Sequence, residues 1–514
     1  MSKTIIIIGA GLAGLSAALQ AAENGCNVKL VSSLPSERAQ SVMAEGGINA
    51  ALNTKDENDS PEEHFTDTIK AACGLADPNA VWGMTQAAPE LVHWLLKLGV
   101  KFNMSGYDDV DLRNFGGQKK KRTAFAQSDT GKQIMTAMID AVRRKEASGM
   151  VERFSHHSFL TLRLCGNICC GCVIRDEYSQ ETVELPGDAV IVATGGMHGL
   201  FGNTTGSLSN TGEVTAELFR LGVLLANGEM IQYHPTTVKC GGKRMLISEA
   251  ARGEGGRLFA MKDGKQWYFM EEKYPELGNL MPRDITAREI WKVSHESEVF
   301  LDMTEISDEI ISNKLSGLAD DCMTYLHKDI RKEPVSVLPG IHYFMGGILV
   351  DEQHRTPIQN LYAAGECCAQ YHGANRLGGN SLLGALYGGR VAAKSACEQA
   401  DVVDLSCATQ IDFPPASQIS EIKQLNKVMQ ETMGVVRNEN TLLNGIQTVQ
   451  ALTGNLPLLG MAVLKSALAR KESRGAHWRE DYPKSNDDDY LKTTVARFDG
   501  KQIQISFVPV PERR

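Results

Sequence analysis

The N-terminal segment "TIIIIGAGLAGLSAALQAA" constrains the fold more than any other feature of this chain. Four consecutive isoleucines suit a strand buried on both faces of a parallel sheet. Gly9, Gly11 and Gly14 follow at fixed spacing, and an Ala-rich helix comes after them. The first glycine permits the turn, the second lets the backbone approach a pyrophosphate, and the third lets the helix pack on the strand. The helix N-terminus then faces the phosphate charge. The segment could pass for a signal or membrane sequence, but Ser16 and Gln20 interrupt its apolar core, so we read strand, turn and helix. No other run is long and apolar enough to span a bilayer.

The second strand, "NVKLVSS", ends in Ser32 and Ser33. A nicotinamide-binding unit usually places Asp or Glu there to grip the ribose. Two serines weigh against NAD and leave a dinucleotide held through hydroxyls. "DAVIVATGG" runs into Thr194 and Gly195, and "NLYAAGE" runs into Glu366 with the same pattern of strand, small-residue turn and polar group. Two such segments, far apart, point to a flavin domain interrupted by an insertion. The stretch "RAQSVMAEGGINA" adds adjacent glycines, Gly46 and Gly47, whose exposed N–H groups invite close approach.

Length and charge set outer limits. With 514 residues, roughly three domains are expected. A net charge of −9 argues against nucleic acid as a main partner, since a phosphate backbone selects a basic surface. The 12 cysteines have no regular spacing. Those in "FLTLRLCGNICCGCVIRD" follow the alternation of two strands around Gly166 and Asn167, which fits reduced thiols in a cytoplasmic protein better than a metal centre. No metal site is expected.

From residue 231 the motifs become dense. "IQYHPTT", "SEAARGEGGRLF", "MPRDITARE", "PGIHYFMGGILVD", "LYAAGECC" and "HGANRLGGNSLLGALYGGR" occur in that order. His234, His342, Arg283 and Arg376 each sit in a Gly- or Pro-punctuated turn. Two histidines and two arginines suit a small dicarboxylate, because arginine pairs with carboxylates in bidentate fashion and keeps its charge when buried. In this order the motifs resemble the flavoprotein subunit of succinate dehydrogenase and fumarate reductase, a superfamily that also contains L-aspartate oxidase. The resemblance runs almost end to end, through "ALARKESRGAHWREDYP".

The resemblance implies FAD held by Gly9, Ala10, Gly11, Leu12, Ala13, Gly14, Ser32, Ser33, Ser41, Gly46, Gly47, Thr194, Gly195, Glu213, Glu366, Ser381 and Leu382. It implies a C4 dicarboxylate, fumarate or succinate, gripped by His234, His342, Arg376 and Ser248. Arg283 would pass a proton to one substrate carbon while flavin N5 passes a hydride to the other. Glu249 and Arg252 would relay that proton from solvent, and their i to i+3 spacing puts them on one helical face. An arginine normally stays protonated, so Arg283 either needs positive surroundings to act as an acid or stabilises developing negative charge.

Two positions bear on the family member. Phe115 precedes Gly116 and Gly117, where aspartate oxidases carry a glutamate that meets the substrate ammonium. An apolar ring fits a bare dicarboxylate better, since an unpaired ammonium is costly to desolvate. Gln40 stands where membrane-complex relatives carry the histidine that bonds covalently to the flavin. The expectation is therefore non-covalent FAD and mainly fumarate reduction, with L-aspartate oxidase and succinate dehydrogenase as alternatives. No haem motif, iron–sulfur cysteine set or fused reductase domain is present, so electrons come from elsewhere, an iron–sulfur subunit being the first expectation. The chain is expected in the cytoplasm, peripheral to a membrane only through a partner.

The expected architecture is α/β. A Rossmann-like FAD-binding domain spans 1–230 and 346–405, an α/β capping domain is inserted at 231–345, a helical domain covers 406–490, and 491–514 is a tail. The cap would carry Arg283 and the flavin domain Arg376, so that catalysis requires closure. A binding module without catalysis would not need both a flavin cradle and a dicarboxylate clamp.

Overall fold

The isoleucines of the strand Thr4–Ile8 face two ways. Ile5 and Ile7 enter one apolar core, and Ile6 and Ile8 enter another. That period of two follows from the pleat, and burial on both sides from helices and strands covering each face. The strand is central in a five-stranded parallel sheet ordered Leu361–Ala363, Ala189–Val192, Thr4–Ile8, Asn27–Ser32, Val151–Ser155. Helices Leu12–Glu23 and Asn380–Gln399 pack together on one face, where Ser16 Oγ donates to the Leu386 carbonyl at 2.6 Å. An antiparallel sheet, His157–Cys165, Ile168–Asp176 and Thr182–Pro186, covers the other. The structure is a computed structural model and describes residues 2–106, 109–401, 413 and 418–514. The expected boundary at 405/406 lies outside the described residues.

The chain leaves this sheet after Val192 and returns to it at Leu361. It forms a three-stranded sheet, Lys243–Leu246, Ile231–Cys240 and Leu338–Phe344, and a four-stranded one containing Arg257–Lys262 and Val299–Asp302. A separate apolar core, with Leu258, Ile290 and Leu301 at 0% exposure, lies under them. Helices Ile419–Thr432, Glu439–Val449 and Asn455–Ala469 pack onto the second core of the main sheet.

Residues 491–514, expected as a tail, instead form an antiparallel hairpin. Lys492–Phe498 and Ile503–Pro509 extend a sheet with Leu225–Ala226, Gly347–Leu349 and Cys368–Ala369. The strands His157–Cys165 and Ile168–Asp176 form the hairpin read around Gly166 and Asn167. Cys169, Cys170 and Cys172 are buried free thiols, but Cys165 is disulfide-bonded, which corrects the expectation of uniformly reduced cysteines. Among the described residues no helix is long and apolar enough to cross a membrane, and no group of three or more His, Cys, Asp or Glu is placed to hold a metal.

Candidate active site

A single cavity of about 570 Å³ joins the glycine-rich turn to the histidine and arginine motifs. Of the expected site residues, all but Gly14 and Arg252 line it, as does Gln40. Gly14 sits in the first turn of the helix Leu12–Glu23: a Cβ there would collide with the Gly9 carbonyl, and one on Gly9 with that of Ala193. These glycines hold the turn tight against the strands. The helix Leu12–Glu23 begins at Gly11 with no side-chain cap, and Leu12 N–H donates to Ser41 Oγ at 3.2 Å. At the end of the second strand, buried Ser32 Oγ has no hydrogen-bond partner. Uncapped N–H groups, an orphan hydroxyl and a cradle that no Cβ could enter fit a dinucleotide such as FAD. Gln40 Oε1 accepts from Ser207 N–H at 2.5 Å, which turns this side chain toward the protein.

His234 and His342 come from adjacent antiparallel strands, Ile231–Cys240 and Leu338–Phe344, whose register breaks on either side of Tyr233 and His234. Such irregularities re-aim side chains, and here the rings sit 5.2 Å apart at 67°. Thr205 Oγ1 lies 2.8 Å from His342 Nδ1, and His234 Nδ1 lies 3.0 Å from the Thr236 carbonyl oxygen. Burial, with Arg283 nearby, holds His234 well below the ordinary imidazole range; burial and His234 do the same to His342. Both rings are therefore neutral at pH 7.

Arg283 opens the helix Arg283–Val293, directly after Pro282 at its N-cap. Its Nε and Nη2 donate to Glu249 Oε2 at 2.8 and 2.6 Å. Nη1 donates to Gln232 Oε1 at 3.0 Å. Glu249 opens the short helix Glu249–Gly253 with Ser248 as N-cap, so Arg252 shares its face, with Nη2 3.4 Å from Glu249 Oε1. Burial would raise the Glu249 carboxyl, but Arg283 and Arg252 outweigh it and hold it at about 2. Arg252 does not line the cavity and donates to the Asn279 carbonyl at 2.6 Å. Arg376 is buried, stacks 4.4 Å from the Tyr343 ring and leaves Nε without a partner. Burial, then Arg283, lowers it to about 9.

Three residues of this site escaped the sequence reading. Gln232 lies in the quoted "IQYHPTT", two residues before His234, and strand alternation was the signal for it. Besides accepting from Arg283, its Nε2 donates to Asn375 Oδ1 at 2.9 Å and the Arg376 carbonyl at 2.8 Å, so one amide links both arginine segments. Thr205 had no motif to mark it. Glu45 lies inside "MAEGG" and lines the cavity with Oε2 unpartnered. Burial and Asp321 push its carboxyl up to about 8.

That shift has a measurable sign. The native state binds a proton at Glu45 that the unfolded state releases above pH ~4.5, so the contribution of this group to stability falls from there to about 8 and then levels off. Glu45→Gln removes this loss. Near pH 5 variant and parent should unfold almost together; near pH 8 the variant should be more stable by roughly 3 kcal/mol. A gap between their unfolding curves that does not widen with pH would contradict the assignment.

The loop carrying Arg376 is held from two sides. The Ala374 N–H donates to the Ala72 carbonyl and the Ala374 carbonyl accepts from Ala476 N–H, both at 2.9 Å. Ala476 belongs to the "ESRGAHWRED" stretch, where Arg474 pairs with Glu472 at 2.8 Å; two residues before the stretch, Arg470 pairs with Glu229 at 2.7 Å.

A parallel sheet with a glycine turn, a dinucleotide groove and an arginine–histidine cage beside it together define an FAD-binding oxidoreductase. Residues 4–382 match the FAD binding domain family, and 452–513 match the family described as fumarate reductase flavoprotein C-term. The chain is 38% identical over 576 aligned positions to the succinate dehydrogenase flavoprotein subunit of Bacillus subtilis, covering 100% of this chain and 98% of that protein. It is 35% identical over 511 positions to the L-aspartate oxidase of Caulobacter vibrioides, covering 97% and 96%. Among solved structures, the quinol fumarate reductase of E. coli superposes with a TM-score of 0.90 at 27% identity, covering 99% of this chain and 97% of that one. The chain belongs to the succinate dehydrogenase/fumarate reductase flavoprotein family of FAD-dependent oxidoreductases.

Proposed function

We propose that this protein reduces a C4 dicarboxylate of the fumarate type to the saturated acid, reversibly. The observation that carries the reading is Arg376, a buried guanidinium with an unpartnered Nε and no ion pair among the described residues, facing the same cavity as Arg283. A buried cation of this kind calls for an anion. Bound FAD in its reduced form supplies the hydride. Arg376, His234, His342 and Ser248 hold the two carboxylates; His342 donates from Nε2 with Nδ1 accepting from the Thr205 hydroxyl, and His234 donates from Nε2 in the tautomer whose Nδ1 accepts from Thr236 N–H. Arg283 gives a proton to the second alkene carbon and is recharged through Glu249 and Arg252. Glu249, held ionised, keeps the guanidinium fork oriented, and Gln232 fixes its third nitrogen. The segment 231–345 acts as the cap, bringing Arg283 over the site and excluding water, which strengthens every charge interaction inside.

With Gln40 bonded to Ser207 and no histidine at that position, the flavin is held without a covalent tether and favours reduction. Its electrons come from a separate carrier; the relatives described as flavoprotein subunits support a partner subunit, for which we propose an iron–sulfur protein. Glu45 favours one second reading, L-aspartate oxidation, because a carboxyl inside the cavity could ionise against a substrate ammonium. Phe115, buried and in the cavity, favours the bare diacid.

One titration separates these readings. The purified protein should be yellow, bleach with dithionite and regain its colour with fumarate but not with iminoaspartate, and it should release its flavin on denaturation. Recolouring by iminoaspartate alone would select aspartate oxidation. Flavin remaining on the denatured chain would refute the untethered site.

A further inference from the structure

Away from the cavity, two cysteines 371 positions apart in the chain meet sulfur to sulfur. Cys26 Sγ and Cys397 Sγ are 2.9 Å apart. That is closer than two unbonded sulfurs normally rest, and within an ångström of the disulfide length of about 2.05 Å. Cys26 is buried between the helix Leu12–Glu23 and the strand Asn27–Ser32. Cys397 lies near the end of the helix Asn380–Gln399, is partly exposed, and packs against the core that contains Cys26. Lys3 Nζ donates to the Cys397 carbonyl at 2.8 Å, placing a cation beside the pair.

We propose that Cys26 and Cys397 are a dithiol site that small disulfides convert into an intramolecular disulfide. The Cys397 thiolate, the more accessible of the two, attacks one sulfur of a disulfide RSSR. A mixed disulfide forms and RS⁻ leaves. The Cys26 thiolate then attacks the Cys397 sulfur, closing the Cys26–Cys397 bond and releasing the second RS⁻. The protein gives up two electrons and two protons, and the oxidant leaves as two RSH. Burial pushes the Cys397 thiol up, so the exchange is slow and gains speed at mildly alkaline pH.

The position gives the bond a consequence. One thiol follows the helix that starts at the Gly9–Gly14 turn, and the other ends the helix whose first turn carries Ser381 and Leu382 on the cavity wall. A bond between their far ends ties together the two helices that floor the dinucleotide groove and shortens the unfolded chain's freedom.

The test uses the flavin-loaded protein. It is incubated with glutathione disulfide, its remaining thiols are blocked, and it is digested without reduction. A linked peptide pair containing Cys26 and Cys397, two hydrogens lighter than the separate peptides, is expected. The unfolding midpoint should rise by several degrees and fall back with dithiothreitol. Cys397→Ser and, independently, Cys26→Ser should abolish both effects. The proposal is overturned if exposed thiols become glutathionylated while no linked pair forms, as a mere S–H···S hydrogen bond would dictate. It is equally overturned if the midpoint shift persists in both variants.

Discussion

Arg283→Lys should leave the flavin bound and lower turnover with fumarate by roughly 10²–10⁴-fold, the range a positioned proton donor contributes. Arg283 uses all three guanidinium nitrogens: two on one oxygen of Glu249 and one on Gln232. An ammonium is a compact point charge without that fork. It can satisfy Glu249 or reach toward the substrate, but it cannot span Glu249, Gln232 and a substrate carbon together. None of these contacts supports the glycine turn, so flavin content should not change. Absorbance of bound flavin with single-turnover reoxidation by fumarate separates the two quantities. Near-normal reoxidation would remove Arg283 from the proton path and leave it an electrostatic role alone.

The parts of this molecule legible in sequence are those where a backbone constraint forces residue identity. The strand, Gly9, Gly14 and the following helix are an example: the packing admits no Cβ, so glycine must appear. The histidines and arginines were legible because each sits in a punctuated motif. What escaped depends on contacts distant in sequence. Gln232 gains its meaning only when strand and loop bring Asn375 and Arg376 to it, 143 and 144 positions away. Glu45 reads as a surface acid until burial and Asp321 are known. Gly47 lines the cavity as expected, but its tightest approach is to the strand Thr123–Ala124, where a Cβ would lie 2.5 Å from the Ala124 carbonyl oxygen. The terminal hairpin did leave a local signal. "TTVARFDGKQIQISFV" carries a D-G turn between two strand-like runs, and only its place beyond the last motif made it read as a tail.

The "ESRGAHWRED" stretch extends the argument from the cage to what braces it. Gly475 has φ of +52°, a left-handed conformation that a β-branched residue resists. A Cβ there would stand 2.5 Å from the Ala374 carbonyl oxygen, two residues before Arg376. Neither side can retreat easily. Ala374 is pinned from behind by the Ala72 carbonyl, and Ala476 is pinned to Ala374 itself. Arg470, Arg474 and His477 next to it are buried in a network with Glu229 and Glu472. Gly475→Val should therefore push the Arg376 loop toward the cavity and move its guanidinium off the Tyr343 ring. A displacement of about an ångström at a carboxylate clamp costs on the order of 100-fold. We expect the KM for fumarate to rise by about that factor while flavin remains bound, because Gly475 packs against Ala374 and not against the glycine turn. A fall in flavin content with an unchanged KM would show instead that this stretch braces the cofactor domain and not the dicarboxylate loop.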